Sequence, residues 1–177
     1  MNKKGSLEII IIFFSAVAFL LVIGLMMLIG SSIINWGADI IVPELTDLGM
    51  IDTANLTQAA DWTIVPANNF LQSLTWVMGF FYVVLIVGVT VLPLIARVKV
   101  SGYLMPLFFA LTLLMIAASI FISNIYQDLT TDNDEFALIM KEHTLLGFMI
   151  LYMPLVTIIV CFTGGIFLFS GLGEELS

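Results

Sequence analysis

Four long runs without a formal charge constrain this chain more than any motif: residues 9–38, 62–96, 100–127 and 144–173. They hold 123 of the 177 residues and leave all 18 Asp, Glu, Lys and Arg to the other 54. A helix needs about 20 mostly apolar residues to cross the roughly 30 Å hydrocarbon core of a bilayer. Each run is long enough, so the chain reads as a polytopic membrane protein with four spans. Backbone groups in lipid must pair internally, which leaves helices or a closed barrel. Barrel strands alternate in polarity over about 10 residues. Stretches such as 9–14 and 111–118 are apolar at almost every position, so helices are expected.

The expected fold is an all-α membrane protein, a single domain over 1–177. Its spans are read at 7–34, 73–96, 102–123 and 144–172, with outer segments at 35–72 and 124–143. Hydrophobic residues make up 61% of the chain, against about 45–50% in soluble domains. The net charge is −8. Nucleic-acid binding requires a basic face, and five scattered cations do not supply one.

The cations set the expected orientation, because cytoplasmic loops carry an excess of Lys and Arg. Lys3 and Lys4 precede the first span, and Arg97 and Lys99 fill the short second connection. With four spans both places face one side, which predicts N-in, C-in. Only Lys141 dissents, among Asp132, Asp134, Glu135 and Glu142. Trp36, Trp62, Trp76 and Tyr126 are expected near the outer face and Tyr103 near the inner one, as interfacial anchors.

The N-terminal Lys3-Lys4-Gly5-Ser6-Leu7-Glu8, set before an apolar helix, resembles the class III signal of type IV pilin-like proteins, archaeal ones especially. The resemblance implies a peptidase cut after Gly5 and a helix that packs in a filament. Glu8 would be the third mature residue, where the bacterial pattern has it fifth. Three further spans do not fit a pilin, and an uncut chain is expected.

The segment 35–72 is long for a connection and too apolar for a solvated coil. Asp39, Glu44, Asp47, Asp52 and Asp61 give it a wet face. One or two short helices on the outer leaflet or over the bundle are expected, with Pro43 and Pro66 stopping their stretches. Asn55-Leu56-Thr57 is a glycosylation sequon on the predicted outer side. In the second outer segment, Asp128, Asp132, Asp134 and Glu135 do not follow the order of a calcium loop. Asp132 and Glu135 fit a helix cap, after which 136–143 should run into the last span as one helix.

Within the spans no ionisable residue marks a transport path. Ser15, Thr75, Thr90, Thr112, Ser119, Thr157, Thr163 and Ser170 can each bond the carbonyl one turn back. Pro93, Pro106 and Pro154 should bend their helices. Thr157, Cys161 and Gly165 recur every four residues. Such a stripe lets another helix approach closely. The lone His143 is expected at the water boundary.

No catalytic, metal-ligating or cofactor-binding constellation stands out, and one histidine limits acid–base chemistry. An enzyme is therefore not expected, nor a cofactor. The expected role is a small non-catalytic membrane subunit within a larger assembly, with lipid and protein partners or further copies of itself. An oligomeric channel or holin-like pore is the alternative. A part in secretion, pilus or virion membrane machinery is a third reading, suggested by the N-terminus. A prokaryotic cell membrane or a virion membrane is the expected location.

Overall fold

Two of the helices are far longer than a bilayer requires. In the computed structural model, which describes residues 3–47, 50–51, 54–96, 100–131 and 135–170, α1 runs over Lys3–Asp47 and α2 over Leu56–Ala96. At about 1.5 Å per residue they measure about 67 and 61 Å. They form an antiparallel pair closed by a minimal hairpin, β1 (Met50–Ile51) against β2 (Ala54–Asn55). We call this end of the molecule the tip and the other end the base. A 3₁₀ turn, Gly102–Leu104, leads into α3, Met105–Thr131. The chain then returns through α4 (Glu135–Glu142), α5 (Thr144–Leu151) and α6 (Met153–Phe169).

Among the described residues, three stretches are long and apolar enough to cross a membrane: Ser6–Ile41, Trp76–Ile95 and Gly102–Thr131, with 18-residue windows of mean hydropathy 3.1, 2.5 and 2.4. A fourth crossing exists if α5 and α6 count as one span, bent by 69° at their junction.

The expected last helix, 144–172 with 136–143 continuous before it, is corrected here. It is broken twice. His143 has φ −75° and ψ 59°, which ends α4 and starts α5. Tyr152, at φ −94° and ψ 19°, separates α5 from α6. Pro154 explains the second break, since it has no N–H to give to the preceding turn and its ring crowds the carbonyl four residues back. It therefore sits in the first turn of a new helix. Ser123 of α3 donates its hydroxyl to the Leu151 carbonyl at the break, at 2.7 Å. Hydrogen bonds between membrane helices contribute about 0.6–2 kcal/mol. Ser123→Ala is expected to lose about that much in an unfolding titration in bicelles, with α3 itself intact.

The outer segment 35–72 is corrected as well. Among its described residues there are no separate surface helices, because α1 continues to Asp47 and α2 begins at Leu56. Pro43 and Pro66 lie inside helices rather than ending them. One proline removes one bond of the ladder, and packing along the α1–α2 pair keeps the rest. The tryptophans consequently do not share a plane. Trp62 and Trp76 lie on one helix, about 21 Å apart along its axis. Asp132, expected to cap this helix, falls outside the described residues, and Glu135 lies in the first turn of α4.

Two apolar clusters stack along the bundle axis. The base cluster joins α1, α3 and α6 around Phe13, Phe14 and Phe108. Phe14 and Phe108 are 5.1 Å apart between ring centres, and Phe169 meets Phe108 edge-on at 5.4 Å. The second cluster gathers Leu20, Leu21 and Leu28 of α1 with Tyr82, Met140, Leu146 and Met153.

Candidate functional site

Four of the eight buried polar side chains among the described residues lie where α1 meets the α4–α5 elbow. Ser31, Ser32 and Asn35 of α1 are all buried, and so is His143 at the elbow, only 2% exposed. Residues one turn apart share a helix face, so 28, 31, 32 and 35 form one stripe. The Ser31 hydroxyl donates to the Leu28 carbonyl at 3.0 Å. Its oxygen also lies against the imidazole, 3.3 Å from Nε2 and 3.5 Å from Nδ1. Ser32 Oγ is buried without a hydrogen-bond partner among the described residues. The elbow's backbone is tied on both sides. His143 N–H donates to the Met140 carbonyl at 3.3 Å, and its own carbonyl accepts from Gly147 N–H at 2.7 Å.

Sequence reasoning places His143 at the water boundary, yet α1 covers it. The signal lay in the Ser31-Ser32-x-x-Asn35 pattern, three polar residues on one face of an otherwise apolar run. Burial pushes the imidazole's pKa below its ordinary value, because a dry site disfavours the charged form. A group whose folded pKa is depressed in this way contributes full stability above the unfolded pKa of about 6.5. That contribution is lost as the pH falls below it, where the unfolded chain binds the proton more readily. The melting temperature of the reconstituted chain should therefore drop from about pH 7 to about pH 5, a window in which His is the residue that titrates. His143→Gln should flatten that profile.

A second constellation lies at mid-bundle. The Tyr82 hydroxyl, from α2, donates to the Leu20 carbonyl of α1 at 3.0 Å and also contacts Met153 Sδ at 3.3 Å. Gly24 makes room for this ring, since a Cβ there would lie 2.6 Å from Tyr82 Cζ. One side chain thus binds three segments together.

The Thr157, Cys161 and Gly165 stripe lies on α6, with Thr157 and Cys161 buried. Thr157 Oγ1 makes no hydrogen bond among the described residues, unlike Thr90 and Ser119, which bond back along their own helices. A Cβ on Gly165 would meet Phe108 of α3 at 3.0 Å. The closest approach is one residue away, where a Cβ on Gly164 would be 2.4 Å from Phe13 Cζ of α1. Cys161 and Gly165 also line an apolar groove of about 440 Å³ between α3 and α6, with Phe109 and Phe162 at its rim. Asn55 pairs with Met50 in the tip hairpin. Among the described residues, no three His, Cys, Asp or Glu are grouped to hold a metal.

No protein-family model, curated protein or solved structure matches this chain.

Proposed function

We propose that the chain is a small, non-catalytic membrane subunit that engages a protein partner through the α1–α2 tip, with four spans and both termini on the cytoplasmic side. The observation that carries this reading is the reach of the tip. Trp36 meets Phe136 edge-on, with ring centres 6.4 Å apart, at the start of α4. Residues 37–47 of α1 then add about 16 Å beyond that level. This stretch exposes Ile40 and Ile41 together with Asp39, Glu44 and Asp47, and α2 exposes Trp62 at 78%. Lipid would disfavour the acids, and water would disfavour the apolar surface. A protein interface with an apolar centre and a polar rim accommodates both.

The orientation rests on the base. Lys3 and Lys4 begin α1, and Arg97 and Lys99 follow α2 in sequence. Such a bias faces the cytoplasm. A prokaryotic cell membrane or a virion membrane suits a chain of this kind.

The test is a photo-crosslinking residue at position 62, with position 121 as a bundle-face control, followed by mild-detergent purification from the native membrane. One stoichiometric protein adduct from position 62 is expected. A monodisperse monomer without adducts would sink the reading.

A pore is the second reading, favoured by the 69° break between α5 and α6. Broken helices at membrane depth are tolerated where they are packed in protein or line a water-filled cavity. Proteoliposomes with no ion flux above lipid background at high protein load would exclude it.

A further inference from the structure

The elbow between α4 and α5 combines three features that rarely meet. It is a helix break, it is buried against another helix, and the residue at the break is the chain's single histidine. A break is a place where a segment can pivot without unravelling a helix, because its dihedrals already depart from the ladder. We propose that His143 is an acid-released latch: neutral, it holds the α4–α5 elbow against Ser31 of α1, and protonated, it lets the elbow swing away from α1 toward water.

The argument is one of solvation. The neutral ring fits a buried site where Ser31 Oγ lies 3.3 Å from Nε2 and the same α1 face also buries the uncharged Ser32 and Asn35. An imidazolium there needs a counter-charge or water. Among the described residues, the charged groups on the elements around it do not supply the former. Asp39 on α1, Asp128 on α3, and Glu135, Lys141 and Glu142 on α4 are all exposed. Tyr126 of α3, which lies against Gly147, is a neutral phenol. The parts of α2 facing α5, and α5 and α6 themselves, fall in charge-free runs. Burial lowers the proton affinity of the ring in the closed state for the same reason. Water is close at hand, because Lys141 and Glu142 immediately before the elbow are exposed. Protonation is therefore relieved most directly by moving the elbow.

Trp36 is a built-in reporter. It lies next to Asn35 on α1 and packs on Phe136 of α4, so it senses the separation of the two elements. The latch concerns the bundle and does not depend on the partner-binding role proposed for the tip. In nanodiscs, the full chain carrying Trp62→Phe and Trp76→Phe leaves Trp36 as the sole indole. Lowering the pH from about 7 to about 5, the range of histidine titration, should red-shift its emission and increase its quenching by acrylamide, reversibly. His143→Gln should abolish the transition. The C2-proton NMR titration of the one histidine on the unaltered chain provides a second measurement that needs no His143 variant. Its midpoint should coincide with that of the Trp36 transition. Emission that stays flat over this range, a transition that survives in His143→Gln, or a histidine midpoint that does not match the optical one would each overturn the latch.

Discussion

Gly164→Leu should separate α6 from α1 and cost more stability than any other single glycine substitution in the bundle. A β-carbon at position 164 already falls 2.4 Å from Phe13 Cζ. Phe13 has nowhere to retreat, since it is wholly buried, edge-on to Phe14 at 5.3 Å and stacked near Phe108 at 6.1 Å. Overpacking of a filled core costs about 1–3 kcal/mol. Gly164→Ala should fall in that range, and Gly164→Leu at or beyond its upper end. Unfolding in bicelles, followed by circular dichroism, measures this directly. Two comparisons separate crowding from helix propensity. At Gly30 and Gly88 a β-carbon would meet nothing within 4 Å, so Ala there should be neutral or up to about 1 kcal/mol stabilising. Phe13→Leu combined with Gly164→Ala should recover part of the loss. Equal effects of Ala at 164 and at 88 would refute the close approach.

The second large effect is expected at Tyr82. Tyr82→Ala removes a fully buried ring from the centre of the second cluster and a hydroxyl that links α2 to Leu20 and Met153. Aromatic-to-alanine changes in aqueous cores cost about 3–5 kcal/mol. Here the lower end, about 3 kcal/mol, is expected, because lipid tails are as apolar as the core and what is lost is packing and hydrogen bonding. Tyr82→Phe keeps the ring and should cost only about 0.6–2 kcal/mol, the range for a hydrogen bond between membrane helices. Gly24→Ala should destabilise by overpacking, by about 1–3 kcal/mol, since its β-carbon would strike the same ring. A Tyr82→Phe loss equal to that of Tyr82→Ala would mean that the hydroxyl, rather than the ring, organises the junction.

Both sites show how far the linear chain could be read. The apolar character of the spans was visible at once, and the stretch expected at 102–123 is found as a 3₁₀ turn followed by a helix that runs on to Thr131. The stripe read at Thr157, Cys161 and Gly165 lies on α6, and the tightest contact sits beside its last member, at Gly164. Which of two adjacent glycines faces Phe13 depends on the rotation of α6, and the break at Tyr152 sets that rotation. The reading of 35–72 as surface-lying pieces gave too much weight to Pro43 and Pro66. Local rules treat a proline as a stop, whereas α1 and α2 brace each other over a length that outweighs one missing bond per proline.

His143 marks the same boundary on the polar side. Its neighbours in sequence, Lys141 and Glu142, are exposed, and from them a wet histidine follows. The group that dries it, Ser31, stands 112 positions away. By itself the sequence determined which stretches are apolar enough to enter a bilayer, because hydropathy is a sum over about 20 consecutive residues and needs no partner. Only the tertiary structure decided where the last helix breaks, how far α1 and α2 reach past the others, and which polar side chains are shut away from water. Each of those depends on what packs against a residue from a distant part of the chain.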